Sequence, residues 1–316
     1  QDSKIARERG TRSEGCTNEK TAMEAALGMS YAGKRAMYCC KHVGVNVAAD
    51  CFVNSAITGV NGGLIYIAAD DPSMHSSQNE QDSRFYANFA FIPALEPASQ
   101  QEAYDMIHYG FDLSEKFKEP VMMRITTRMA HSRAGVTRKA EVRNQNERSL
   151  PQDKKQFILL PAIARKQYNA LLAKQPDIIK ESETAGWNKY FDGENKKLGI
   201  ITCGIGYNYL MENFRDKKCP YPVVKVQQYP LPQCMIEKLY NECDEILVLE
   251  EGQPLVEQQM RGFMNNGKPI HGRLDGTISR VGELSPNMVG KALGLEIEGG
   301  MEIPALVAPR PPKLCD

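Results

Sequence analysis

Three short stretches carry side chains whose types and spacing could do chemistry. In TNEKTAMEAALG (17–28) a lone carboxylate, Glu19, stands at the mouth of a helix that then turns small and apolar through Ala22, Met23, Ala25, Ala26, Leu27 and Gly28. Two readings compete. Thr17 or Asn18 can accept from the first free backbone N–H groups, and an acid in the first turn suits the helix dipole, which makes Glu19 a capping acid. Otherwise Glu19 handles a proton, with burial among small apolar residues raising its pKa because desolvation disfavours the charge. The second stretch, KHVGVNVAAD (41–50), carries His42 and Asn46. The third, DDPSMHSSQNEQD (70–82), carries His75, Gln78 and Asn79. A lone loop histidine is ordinarily surface. Two of them among amides, at the ends of adjacent strands, read as the lining of a site.

The elements that must position these side chains follow from periodicity. A helix over 18–33 ends at Gly33, a natural C-terminal stop. RAMYCC (35–40) is a short strand, and a small-residue helix follows over roughly 45–59. GLIYIAA (63–69) is a continuous apolar run of strand length, as expected for a parallel strand buried on both faces. The polar loop 70–84, a helix over 101–117 and the strand PVMMRITT (120–127) complete a first unit. Residues 136–156 are polar and read as its exit, and 157–196 hold a Lys/Arg-rich helix and a polar stretch around Trp187. A second alternation then runs through LGIITCG (198–204), YNYLMENFRD (207–216), PVVKVQ (222–227), MIEKLYNE (235–242), EILVLEEG (245–252) and PLVEQQMRGFM (254–264), closing with a helix after Pro286. Strands alternating with helices predict an α/β fold with mainly parallel sheets. In such sheets ligands bind beyond the carboxyl ends of the strands, where the second and third stretches both stand.

Composition removes several function classes. The 39 basic and 39 acidic residues cancel, so no general field draws the chain to nucleic acid or anionic membrane, and neither is expected as a partner. No apolar run reaches the roughly 18–20 residues that span a bilayer, and no signal peptide is read, so a cytoplasmic location is expected. The nine cysteines include no C-x-x-C pair and read as reduced, mostly buried thiols, with Cys39 and Cys40 structural. No metal or iron–sulfur site is expected within this chain. GIGYN (204–208) lacks the third glycine of a dinucleotide turn and reads as a tight strand-to-helix turn. No serine nucleophile elbow and no H-E-x-x-H helix is present.

The run TNEKTAMEAALGMSYAGKRAM, KHVGVNVAAD and GGLIYIAADDPSMHSSQNEQDSRFYANFAFIPALEPASQQEAYDM resembles the α-subunit of indolepyruvate:ferredoxin oxidoreductase, a thiamine-diphosphate-dependent 2-oxoacid oxidoreductase. The likeness continues through PVMMRITTRMAHSRAGV, EILVLEEGQPLVEQQ, HGRLDGTISRVGELSP and APRPPKLC, nearly the whole chain. It implies a thiamine pyrimidine-binding domain over 1–150, a connector over 151–194, a transketolase C-terminal-like domain over 195–308, and over 309–316 the start of a linker to a pyrophosphate-binding domain. Glu19 then matches the acid that hydrogen-bonds N1′ of the aminopyrimidine and favours its imino tautomer. Glu19 and Asn46 are the implied cofactor-binding residues, and His42, His75, Gln78 and Asn79 the candidates for the substrate end. The Mg²⁺ ligands would lie in the pyrophosphate-binding domain and the iron–sulfur clusters in a ferredoxin domain, both outside this chain. A smaller β-subunit, a second α-subunit, ferredoxin, coenzyme A and an aryl pyruvate are the implied partners. Gly15 stands where relatives usually carry tryptophan, and the family's first strand and Y-P-G-T-P-S loop would precede Gln1, so the chain reads as the middle of a longer subunit. Another 2-oxoacid as substrate, a transketolase-like transferase and a non-catalytic interaction module remain open at this point.

Overall fold

The computed structural model describes residues 4, 6, 8–140, 146–153, 155–215, 217–263, 268–273, 275–279 and 283–297. The first helix, α1 (Glu19–Tyr31), is capped by Asn18, whose side-chain oxygen accepts from the Thr21 N–H at 2.9 Å. Strand β1 (Ala36–Lys41) runs straight into α2 (His42–Val47) and α3 (Ala49–Thr58). Then come β2 (Leu64–Asp70), α4 (Ser83–Ala90), β3 (Ala94–Leu95), α5 (Gln100–Phe117), β4 (Val121–Thr126) and α6 (Thr127–His131). The long helix α7 (Pro161–Thr184) leads to β5 (Lys189–Phe191), β6 (Leu198–Cys203), α8 (Gly206–Glu212), β7 (Val223–Val226) and β8 (Gln228–Tyr229). The rest comprises α9 (Gln233–Glu242), β9 (Glu245–Leu249), α10 (Leu255–Phe263), β10 (Ile270–His271) and α11 (Pro286–Ala292).

Two five-stranded sheets result, ordered β1-β2-β4-β3-β8 and β10-β9-β6-β7-β5. All pairings are parallel except β3 with β8 and β5 with β7. The expected α/β class with mainly parallel sheets is therefore found. Leu64, Ile65, Tyr66 and Ala68 of β2 are buried between flanking layers, which is why that strand reads as an unbroken apolar run. Tyr66 anchors one layer, edge-on to both Tyr38 (centroids 4.9 Å apart) and Phe52 (4.7 Å).

Some expectations need correction. The single helix placed over 45–59 is two, beginning three residues earlier and breaking at Ala48. The break lets both α2 and α3 lie against α1 while α3 also packs on α7. The polar loop ends at Asp82, whose carboxylate caps α4 by accepting the Arg84 N–H at 3.0 Å. Strand β9 stops at Leu249, because the Glu250 carboxylate turns to cap α10, accepting from Val256 N–H (3.0 Å) and Glu257 N–H (3.1 Å). Of the eight described cysteines, all free thiols, Cys51, Cys203, Cys219 and Cys243 are buried, so the thiols are not mostly buried. Cys39 is exposed on alternate-facing β1, the first sheet's edge strand. No helix among the described residues is long and apolar enough to cross a membrane.

Candidate functional site at the carboxyl ends of β1, β2 and β4

Strands β1 and β2 are parallel neighbours with Lys41 opposite Ala69, so both polar stretches leave the sheet side by side. Glu19 is half-buried at the start of α1 and approaches α2 through Gly44. A Cβ at Gly44 would stand 2.6 Å from Glu19 Cγ and 3.1 Å from its Oε1, so only glycine leaves the acid where it is. Among the described residues no hydrogen bond or ion pair engages the Glu19 carboxylate. The capping role belongs to Asn18 instead. Nearby, burial pushes the Cys40 thiol up to about 12, with the Glu19 charge adding to the effect, so this thiol is no nucleophile at neutral pH. Glu19 is thus not sunk among its small neighbours as the sequence suggested; Thr21, Ala25 and Gly28 are themselves exposed.

The other candidates divide. His42 is fully buried, and its Nε2 lies 2.9 Å from the Asn79 carbonyl, so it donates there and fixes the loop; its buried Nδ1 has no hydrogen-bond partner. Asn46 and Gln78 are exposed, and their side chains make no hydrogen bond among the described residues. Asn79 is exposed and accepts from Gln81 Nε2 at 3.1 Å. His75 points across to the second sheet's half, with Nε2 3.1 Å from Glu283. The histidines therefore do not converge as a pair: one is a buried strut, the other an exposed bridge.

What sequence reading missed is the charge layer beneath the site. Arg124, buried in the middle of β4, reaches Asp70 Oδ2 (Nε, 2.5 Å), Glu96 Oε1 (Nη1, 2.5 Å) and the Glu251 carbonyl (Nη2, 2.9 Å). Arg84, equally buried, grips Asp82 (2.5 Å) and Glu250 (3.0 Å) and donates to the Gln253 carbonyl at 2.8 Å. Tyr229 donates to Glu96 at 2.7 Å. Gly252 passes at φ +92°, where a Cβ would meet Arg124 Nη2 and Asp82 Oδ2 both at 2.8 Å. The signal existed: an arginine inside the apolar run PVMMRITT has to be paired if that run is a buried strand. Asp71 was equally legible as the second acid of a strand-end pair. It accepts from Ser76 N–H (2.8 Å), His75 N–H (3.2 Å) and Thr127 Oγ1 (2.8 Å). Burial would raise this carboxyl, but those hydrogen bonds outweigh it and hold it below the ordinary carboxylate range.

Glu251 is the layer's surplus acid. It is buried two residues beyond β9, and neither carboxyl oxygen has a hydrogen bond of good geometry among the described residues, Thr126 giving it only partial relief. Burial pushes it up to about 7, and Arg124, already shared among Asp70, Asp82 and Glu96, offsets only part of that. A group raised in the folded state contributes stability that is full below its unfolded pKa of 4.5 and is lost as pH climbs through about 7. Glu251→Gln, which mimics the protonated acid, is expected to flatten the decline of melting temperature between pH 5 and pH 8 by on the order of 2 kcal/mol of stability. Glu119, also raised to about 7 by burial, shares that window and serves as the background in the comparison. Parallel melting curves for native and variant protein would refute the assignment.

Residues 4–188 match the sequence profile of the family described as "Pyruvate flavodoxin/ferredoxin oxidoreductase, thiamine diP-bdg". The chain belongs to that family. Its curated relatives include proteins named "Indolepyruvate oxidoreductase subunit IorA". The one from Methanothermobacter thermautotrophicus is 35% identical, with 98% of this chain covering 52% of that protein. The one from Pyrococcus horikoshii is 38% identical (98% and 51%), and that from Archaeoglobus fulgidus 39% (94% and 50%). The chain thus spans about half the length of the curated relatives it matches. Among solved structures, a 2-oxoglutarate:ferredoxin oxidoreductase from Magnetococcus marinus superposes with TM-score 0.68 at 14% identity, covering 92% of this chain and 58% of that one. A split-gene transketolase superposes at 0.57, also at 14% identity, covering 93% and 85%. At such identities these two speak for the fold alone. Among the described residues no group of three or more His, Cys, Asp or Glu could hold a metal ion.

Proposed function

We propose that this chain is part of the α-subunit of a thiamine-diphosphate-dependent indolepyruvate (aryl pyruvate):ferredoxin oxidoreductase, with Glu19 as the acid that serves the aminopyrimidine. One observation carries the reading: a half-buried carboxylate with no hydrogen-bond or ion-pair partner among the described residues, held at a strand-end site against a glycine where any Cβ would clash with it. Its relatives' names and the thiamine-diphosphate family profile support the substrate and the cofactor.

The residues present fit the pyrimidine end of that cofactor. The Gly44 cradle seats the Glu19 stem, and the acid's oxygens are left for an outside donor. When bound, thiamine diphosphate supplies the carbon nucleophile and electron sink that decarboxylation of a 2-oxoacid requires. Glu19 holds a proton at N1′ and shifts it as the ring tautomerises. Asn46, exposed on the same short helix as Gly44, and the exposed side chains of Gln78 and Asn79 are assigned to the cofactor and substrate ends of the site. His42 works through the loop, by fixing the Asn79 carbonyl. A Mg²⁺ ion, iron–sulfur clusters, a β-subunit, a second α-subunit, coenzyme A and ferredoxin complete the reaction from outside these residues, in the cytoplasm.

The test is anaerobic viologen reduction by the full-length assembled protein, driven by indolepyruvate and coenzyme A, with native Glu19 against Glu19→Gln. Full activity in the variant would remove the anchor of this reading. A second variant probes the cradle. Gly44→Ala should lower turnover about tenfold or more, since an acid displaced by the 2.6 Å clash loses its near-attack position. Its melting temperature should fall only modestly, because alanine's helix propensity, better by up to about 1 kcal/mol, offsets part of the overpacking against Glu19 Cγ and, at 2.9 Å, Cys40 Cβ. Unchanged turnover, or a loss that merely tracks unfolding, would count against the cradle.

A further inference from the structure

The loop between β2 and α4 is held in an unusual shape. Ser73 (φ +70°) and Met74 (φ +56°) are consecutive non-glycine residues in the left-handed region. Such a pair persists only where its surroundings over-determine it, and residues of this kind cluster at functional sites. From its own half of the molecule the loop is held by Glu80, which accepts the Ser73 N–H at 2.8 Å, by Asp71, and by Lys41, whose Nζ donates to the Ser76 carbonyl at 3.0 Å. From the other half, Glu283 reaches over, just ahead of α11. Its Oε1 accepts from Arg128 Nε at 2.6 Å and its Oε2 from Arg128 Nη2 at 3.2 Å, a two-point grip that aims the carboxylate. Oε2 also lies 3.1 Å from His75 Nε2, one residue beyond the left-handed pair. Arg128 stands on α6, directly after β4, so the ends of β2 and β4 and the second half of the molecule meet at one carboxylate.

We infer that Glu283 is a positioning residue: it latches the loop 71–79 through His75 and so sets the shape of the substrate end. This inference rests on the proposed function for its consequence in catalysis, though the latch itself does not. Global stability should barely notice its loss, because Arg128 and His75 are about half exposed and such pairs contribute little to folding. That separates a latch from a merely structural contact.

Two readouts test it on the full-length assembled protein, native against Glu283→Ala and Arg128→Ala. Amide hydrogen exchange over residues 71–79 should quicken about tenfold in Glu283→Ala, with the melting temperature unchanged. KM for the aryl pyruvate should rise about tenfold while kcat stays within about threefold. Arg128→Ala should reproduce both effects in part, and the double variant should be no worse than Glu283→Ala, since the two residues act as one unit. Unchanged exchange would overturn the latch. Faster exchange with an unchanged KM would overturn its role in catalysis. If the native protein does not turn over aryl pyruvates at all, the proposed function fails, and the exchange result alone decides the latch.

Discussion

Glu19→Gln is expected to lower kcat for indolepyruvate at least about a hundredfold, with thiamine diphosphate still bound. Glutamine keeps the length and the hydrogen-bonding oxygen of the native side chain but cannot take up or release a proton. General acid–base catalysis by one positioned group is commonly worth 10²–10⁴-fold, so loss of the proton alone accounts for the fall. Retained cofactor binding separates a chemical defect from an empty site. Two features of the fold make the expectation specific. The N-cap position is already filled by Asn18, so the variant should not unravel α1. The carboxylate has no partner among the described residues, so no ion pair is broken when its charge is removed. A loss below about tenfold, or a loss cured by excess thiamine diphosphate, would return Glu19 to a minor electrostatic role at a helix start.

The largest effect on stability is expected from Arg124→Met. Methionine fills similar space but strands Asp70 and Glu96, both buried, without their common cation. Removing one partner of a buried pair typically destabilises by about 3–5 kcal/mol, because the remaining charge is left in low dielectric. A marginally stable protein loses most of its folded margin at that size, so soluble yield and melting temperature should both collapse. The triple variant Arg124→Met, Asp70→Asn, Glu96→Gln should recover a large part of the loss, since it removes the stranded charges and leaves the volume nearly as it was. If the triple variant is no better than the single one, packing around Arg124 matters and charge does not.

The two effects show what a sequence can and cannot display. Strand identity was legible because β2, β6 and β9 are buried on both faces along most of their length and so are almost wholly apolar, Asp70 and Thr202 aside. The candidate site was read at strand ends by related logic, since the polar run at 70–82 follows directly on buried β2 and that at 41–50 on its edge neighbour β1. Element starts were less so. Helix α2 begins on His42 because the chain turns as soon as β1 ends, with no side-chain cap to announce it. Side-chain roles were least legible. His42 and His75 look alike on the page, yet one is closed into the core by a carbonyl 37 positions away and the other extends to a glutamate 208 positions away. Contacts at such separations are set by tertiary packing, within one half or between the two, which no local pattern encodes.

Strand β8 carries a consequence for how the protein is made. Ala94 and Leu95 present a free strand edge that is covered only by Tyr229 and Gln228, contributed from far along the chain. During synthesis the first sheet is complete through β4 while that edge still lacks its partner. Until residues 228–229 leave the ribosome, the growing polypeptide carries an open edge beside an apolar core, the usual template for pairing between molecules. The halves are therefore not separable products: the later one finishes the earlier one's border. A first half expressed alone should self-associate through β3, and co-expression with the second half should relieve it.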